Sequence, residues 1–255
     1  MRFTTQGIVL RETNYREADK ILTVLTRDLG RRTVKARDCR RKTSRLTAAS
    51  QLLVYSEMTL DQRGDYLTLH EADVLAQFWS VREDIVLLAL ASYFAEVLES
   101  LAQEGAGEET GELLSLLLNS LYALDTLKKP KELVKAAFEL RALCLTGYEP
   151  LLSGCAVCGR REPEEPRLDL SQGVLHCARC RRGAGNGVNM PLTPGALAAA
   201  RHIAGGDPKK LFSFSLDPAG LTRLGEAAEA FLMTQLERGF RTLDYYKRLT
   251  LSPGL

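Results

Sequence analysis

Two cysteine pairs, Cys155-Ala-Val-Cys158 and Cys177-Ala-Arg-Cys180, are separated by the eighteen residues from Gly159 to His176. Each pair has the spacing of a turn that brings two sulfurs to one side, and four thiolates so arranged close a tetrahedral site for Zn²⁺. Gly159 directly follows the first pair and Gly183 comes shortly after the second, where such turns need a permissive backbone. Between the pairs, residues 167–176 (RLDLSQGVLH) read as two short strands around Ser171-Gln172-Gly173. The segment is therefore expected to be a zinc-ribbon-like hairpin. With cysteine at all four positions no coordination site is left open, which points to a structural Zn²⁺ rather than a catalytic one. His176 is a competing ligand, but the four-cysteine set is the simpler choice. Disulfides are the competing chemistry, and nothing in the chain suggests secretion.

Charge is the second constraint. The net charge of the 255-residue chain is only +2. From Met1 to Arg45, however, thirteen Lys or Arg face five Asp or Glu, an excess of +8, so the remainder carries −6. The excess peaks in Ala36–Arg45 (ARDCRRKTSR), where Arg37, Arg40, Arg41, Lys42 and Arg45 fall within nine residues and Lys35 precedes them. Such density repels itself unless anions are near, and a phosphate backbone supplies them. Thr43 and Ser44 add hydrogen-bonding groups for phosphate oxygens. The competing reading is a solvated charged loop. Tyr15, Tyr55 and Tyr66 are candidate stacking platforms, but each suits a core equally well. Binding is therefore expected to be dominated by the backbone, with little base specificity.

The chain divides into segments of different period. Gly7–Arg11, Ile21–Thr26, Arg31–Arg37, Leu52–Leu60 and Tyr66–Ala72 read as five strands, with Asp61–Asp65 as a hairpin turn and Val34 and Ala36 facing away from Lys35 and Arg37. Five short strands suggest a small barrel, with the OB-fold leading and an SH3-like barrel second. From about Val81 the period is helical. The pattern predicts helices through Leu87–Leu101, from about Leu113 to Leu124, from Pro130 to a cap at Gly147, from Thr193-Pro194, and from Pro218 in one long run to about Leu249. The expected architecture is an α+β multidomain protein: a five-stranded OB-fold nucleic-acid-binding domain over 1–80, a helical domain over 81–150 plus 190–255, and an inserted four-cysteine, zinc-ribbon-like module over 151–189. Cys39 and Cys144 are read as free thiols.

Other classes find little support. No apolar run approaches the roughly 20 residues of a membrane span, and Met1–Gln6 has no signal-peptide core, so a reduced cytoplasm is expected. The three histidines, His70, His176 and His202, fall in no nucleophile, metalloprotease or deaminase pattern, and there is no Walker motif. An enzyme is not expected.

Several stretches resemble one family. Gly7-Ile-Val-Leu10, Tyr15-Arg-Glu17-Ala-Asp-Lys-Ile-Leu22, Leu25-Thr26, Gly30, Ala36-Arg37, Lys42-Thr-Ser44 and Tyr93 with Glu96 all match. The most specific stretch is Phe138–Pro150 (FELRALCLTGYEP), which runs into Cys155-Ala-Val-Cys158-Gly159. Together these resemble the RecO family of bacterial recombination mediators along nearly the whole chain. The resemblance implies an OB-fold, a helical domain and a zinc module. It also implies DNA repair and recombination by the RecF-type pathway: binding of single- and double-stranded DNA, strand annealing, partnership with RecR, and help in loading RecA onto strands coated by single-strand-binding protein. The loop cations Arg37, Arg40, Arg41, Lys42 and Arg45, with Lys35, would carry the DNA contacts. Asp38 stands where the family usually has glycine; it is expected to alter the loop's turn and trim its positive field, which bears most on Arg37. For the acidic tail of single-strand-binding protein, an apolar groove of the helical domain rimmed by a cation such as Arg141 is expected. The competing class is a zinc-ribbon nucleic-acid-binding module of a transcription or RNA-processing factor, with Arg160, Arg161, Arg179, Arg181 and Arg182 as its contacts.

Overall fold

The computed structural model describes residues 1–105, 108–180 and 188–251. Arg181, Arg182 and Gly183 lie outside the described residues. The chain forms two compact units, one of residues 1–126 with the segment from Phe240 onward, the other of Leu127–Gly239.

In the first unit, β1 (Arg2–Tyr15), β2 (Asp19–Thr26), β3 (Arg31–Ala36), β4 (Tyr55–Arg63) and β5 (Tyr66–Ala76) close into a barrel in the order β1-β2-β3-β5-β4. All pairings are antiparallel except β3 with β5, the closing pair of an OB-fold. Strand alternation fills the interior: Val34 and Ala36 are fully buried while Lys35 and Arg37 point outward. Leu22, Val24, Met58 and Leu60 complete the centre, each contributing roughly 1.5–3 kcal/mol on burial. The fourteen-residue β1 serves two neighbours: its first half pairs with β4 and its second with β2, with a register shift between Val9 and Arg11. At Gly7, where the two pairings overlap, a Cβ would stand 2.7 Å from Val24 Cγ1. Gly30 has φ +75° and lies against Gln103 and Gly105, whose carbonyl oxygens a Cβ would meet at 2.5 and 2.3 Å. Two glycines of the family-like pattern are thus sites of close backbone approach.

The strands are longer than their apolar runs. The β4–β5 hairpin is a two-residue turn at Gly64-Asp65 rather than the expected five-residue Asp61–Asp65, because Asp61, Gln62 and Arg63 still pair with β5. Four helices belong to this unit: α1 (Trp79–Glu83), α2 (Ile85–Leu101), α3 (Glu108–Asp125) and, after the second unit, α7 (Arg241–Leu251). Asp84 caps α2 by accepting the amide hydrogens of Val86 and Leu87 at 2.8 and 3.1 Å.

The second unit contains α4 (Lys131–Leu145), the strands β6 (Leu151–Cys155), β7 (Arg167–Asp169), β8 (Val174–His176) and β9 (Asn189–Pro191), and the helices α5 (Pro194–Gly205) and α6 (Pro218–Gln235). The strands form one sheet in the order β6-β8-β7-β9, and β7 with β8 is the expected hairpin around Ser171–Gly173. Gly147, at φ +87°, ends α4, with the Tyr148 amide donating to the Leu143 carbonyl at 2.9 Å. Thr193 and Asp217 cap α5 and α6, each followed by proline. Between α4 and α6, Lys135 bridges Glu139 at 2.7 Å and Glu229 at 2.8 Å in a nearly dry setting.

The expected single helix from Pro218 to about Leu249 is two. Helix α6 stops at Gln235, Glu237 takes a left-handed φ of +49°, and Gly239 follows before α7. There the chain passes from the second unit to the first, where Tyr93 meets Phe240 edge-on at 5.6 Å and Glu96 accepts the amide hydrogen of Thr242 at 3.1 Å. A carboxylate at this helix start also complements its dipole. The helices of the expected 81–150 plus 190–255 domain are therefore divided between the two units.

Candidate nucleic-acid interface and metal centre

The segment from Arg37 to Val54 is a built loop across one end of the barrel. Cys39, 1% exposed, enters the barrel core, and Leu46 packs against the same cluster. Thr47 Oγ1 donates to the Cys39 and Ser44 carbonyls at 2.9 and 3.1 Å. Asp38 adopts φ +50°, the left-handed conformation that glycine enters without cost, and its amide donates to Asp19 Oδ1 at 2.9 Å. That hydrogen bond first, and Lys35 second, hold the Asp19 carboxyl below its ordinary range.

The loop cations are not equivalent. Lys35 is tied to Asp19 at 3.0 Å, and its ammonium also lies 5.0 Å from the Tyr15 ring centre. Arg41 pairs with Asp38 at 2.7 Å. Arg40 turns back on the β1–β2 hairpin: its amide donates to the Ala18 carbonyl at 3.0 Å and its guanidinium to that of Glu17 at 3.1 Å. Arg37, Lys42 and Arg45 are exposed, and none of the three meets a partner among the described residues. Of the six sequence-predicted contacts, three project freely and three help to hold the loop and hairpin together. Asp38 pairs with Arg41 rather than with Arg37.

The candidate aromatics also separate. The Tyr55 hydroxyl donates to Gln6 Oε1 at 2.8 Å, whereas Tyr15 is 41% and Tyr66 81% exposed. Arg141 donates to the Ile203 and Ala204 carbonyls at 3.3 and 2.7 Å, closing the end of α5.

In the second unit the sulfurs of Cys155, Cys158, Cys177 and Cys180 all lie within 4.8 Å of one another, and those of Cys158 and Cys177 are 3.9 Å apart. A tetrahedral ion with sulfurs at about 2.3 Å needs separations of about 3.8 Å, so the donor set fits. Cys155 sits at the end of β6, Cys158 in the turn after it, and Cys177 directly follows β8; the parallel pairing of β6 with β8 brings the two knuckles together. Burial resists ionisation of Cys155, but the amides of Cys158, Val157 and Cys177 outweigh it and bring the thiol down to about 6. Cys177 is lowered chiefly by the Cys180 amide, while crowding by Cys177 pushes Cys180 up to about 12. Four sulfurs this close resist joint ionisation, and a divalent cation relieves that repulsion. Four close cysteines can thus hold a metal ion. His176 is buried but lies outside the cluster, and neither ring nitrogen meets a hydrogen-bond partner among the described residues.

Of the arginines in and beside the knuckles, Arg160 and Arg179 pair locally, whereas Arg161 is engaged through its backbone. Arg160 and Arg179 reach Glu164 at 3.2 and 3.8 Å, and the Arg161 carbonyl accepts from Arg201. Arg181 and Arg182 lie outside the described residues. Cys39 and Cys144 are free, and burial pushes the Cys144 thiol up to about 12. Among the described residues no helix is long and apolar enough to cross a membrane.

The family model described as Recombination protein O N terminal matches residues 1–78, and the one described as Recombination protein O C terminal matches residues 82–244. The chain belongs to the RecO family. It is 32% identical over 249 residues to the DNA repair protein RecO of Acetivibrio thermocellus, covering 96% of each chain. Similar agreement holds with the DNA repair proteins RecO of Heliobacterium modesticaldum (32% over 248 residues, 94% of this chain and 87% of that one) and Anaeromyxobacter sp. strain K (33% over 240 residues, 93% and 92%). In RecO terms, the first match spans the barrel and the second runs through the cysteine module into α7.

Proposed function

We propose that this member of the RecO DNA repair family is a recombination mediator without covalent catalysis. It binds single- and double-stranded DNA through the barrel loop, with Arg37, Lys42 and Arg45 meeting phosphates and Lys35, Arg40 and Arg41 shaping the surface. It anneals complementary strands by screening phosphate repulsion between them. With RecR it helps RecA onto strands coated by single-strand-binding protein, in the cytoplasm. The observation that carries the reading is a cluster of projecting cations on a loop pinned at Cys39 and Thr47, because a rigid concentration of charge is what a polyanion recognises. The four cysteines would hold Zn²⁺ as a structural ion that joins the β6 and β8 ends of the second unit.

A zinc-ribbon module as the main nucleic-acid contact is less well supported, since Glu164 already pairs with Arg160 and lies within ion-pair reach of Arg179. The deciding test is annealing of complementary strands coated by single-strand-binding protein, over a salt series. Salt-sensitive acceleration that disappears in Arg37→Ser/Lys42→Ser/Arg45→Ser is expected. Full acceleration by that variant would move the DNA surface off the barrel loop.

A further inference from the structure

We infer that Arg201, on helix α5, is the positioning residue of the cysteine site: it clamps both flanks of the first knuckle and so holds Cys155 and Cys158 ready for a metal ion. The inference rests on the reading that the four cysteines hold a structural ion, and adds to it a residue outside the ligand set.

The two halves of the site are supported differently. Cys177 directly follows β8, which is paired with β7 from Val174 to His176. The Ala178 amide donates to the Glu164 carbonyl at 3.1 Å, and the Cys180 amide to the Cys177 carbonyl at 3.1 Å. The hairpin therefore carries the second knuckle. Strand β6, which leads into the first, lies at the edge of its sheet and pairs with β8 at Leu151 and Cys155, with a register shift between them. The Leu152 carbonyl falls in that interrupted stretch of the ladder, and a backbone acceptor there needs a donor from elsewhere.

Arg201 supplies it. Its Nε donates to the Leu152 carbonyl at 2.8 Å, three residues before Cys155, and its Nη2 to the Arg161 carbonyl, three residues after Cys158. Its Nη1 donates to Glu162 Oε1 at 2.7 Å. One planar group thus grips the chain on either side of the knuckle, a task for the fixed fork of a guanidinium rather than for a point charge. Between the two clamped carbonyls the turn closes on itself: the Gly159 amide donates to the Cys155 carbonyl at 2.8 Å, and the Cys155 amide to the Arg160 carbonyl at 2.9 Å. The Arg201 side chain is only 28% exposed, so its carbonyl bonds are shielded from water, whereas the Glu162 carboxylate is 78% exposed and its ion pair adds little. Without the clamp all four sulfurs remain, but the first knuckle must be ordered when the ion binds, and that cost falls on metal affinity.

The test measures cobalt and zinc affinities of the metal-free full chain, cobalt by its thiolate charge-transfer absorption and zinc by displacement of cobalt. Arg201→Met keeps an apolar stem and removes every donor; Arg201→Lys keeps the charge without the fork. Arg141→Met is the control, because Arg141 braces the same helix through the Ile203 and Ala204 carbonyls instead of the knuckle. Zinc affinity is expected to fall about 10- to 100-fold in Arg201→Met and several-fold in Arg201→Lys, while Arg141→Met stays within about twofold. Unchanged affinity in Arg201→Met overturns the positioning role, and so does an equal loss in Arg141→Met, which would make affinity follow the general stability of α5. If Arg201→Met does not fold, Arg201→Lys decides alone, with wild-type affinity overturning the role. A wild type that takes up neither metal overturns the four-cysteine reading itself.

Discussion

The salt dependence of DNA binding follows from how the loop cations are partnered. Of the six cations offered by Lys35 and the loop, only Arg37, Lys42 and Arg45 project without a partner among the described residues. A cation drawn from its own carboxylate leaves that carboxylate to collect a counterion, so Lys35 and Arg41 release almost no net salt on contact with phosphate. Arg40 meets only backbone carbonyls and keeps its charge, so four effective contacts give a slope of log K against log salt of about −2.8 on single strands and about −3.6 on duplex. Raising salt from about 50 to 200 mM then weakens single-strand binding about 50-fold, whereas six contacts would weaken it about 300-fold. The assay is fluorescence anisotropy on a thymidine oligonucleotide over that range, with the wild type beside Arg37→Ser/Lys42→Ser/Arg45→Ser and Lys35→Ser/Arg41→Ser. The triple variant should lose most of its salt dependence and the double variant little. A wild-type slope steeper than about −4, or a triple variant that keeps its slope, would refute the partition between free and engaged cations.

Other perturbations have equally defined outcomes. Asp38→Gly frees Arg41 and places glycine at φ +50°, so single-strand salt dependence should steepen by about 0.7 with thermal stability no lower than that of the wild type. The Asp19 carboxyl, held low by the Asp38 amide and then by Lys35, stabilises the loop at any pH above its unfolded value of about 4 and loses that contribution as pH falls through the lowered folded value. Asp19→Ala should therefore destabilise the barrel at neutral pH and converge with the wild type in strong acid, as followed by urea unfolding at each pH. Cys155→Ser/Cys177→Ser should abolish bound zinc in elemental analysis and lower the melting temperature of the second unit, as should a strong chelator; a metal-free variant of unchanged stability would end the structural role. Lys135→Ala removes a buried cation from the fully buried Glu139 carboxylate and should cost about 3–5 kcal/mol in chemical denaturation, with an effect under about 1 kcal/mol contradicting a dry ion network.

What was legible in the sequence is what local chemistry determines. The cysteine spacing led to a cluster that the structure closes, because a Cys-x-x-Cys turn and a short hairpin are both local. Strand alternation located Val34, Ala36, Lys35 and Arg37 on the correct faces for the same reason. Period alone failed where two different backbones keep one phase. Leu236 and Leu243 stand seven residues apart, two helical turns, so the stripe runs on across a left-handed Glu237 that breaks the helix. The basic loop illustrates the deeper limit. Its composition suggested an anion-binding surface, but a list of six cations carries no information about Asp19, eighteen residues before Arg37 and held to the loop through the Asp38 amide. Nor could it separate Tyr55, bonded to Gln6, from Tyr15 and Tyr66, which stay exposed. Which charges and rings remain available for a ligand is a property of tertiary pairing. On the proposed reading, in which the loop surface meets DNA, that pairing would set strength and salt dependence together.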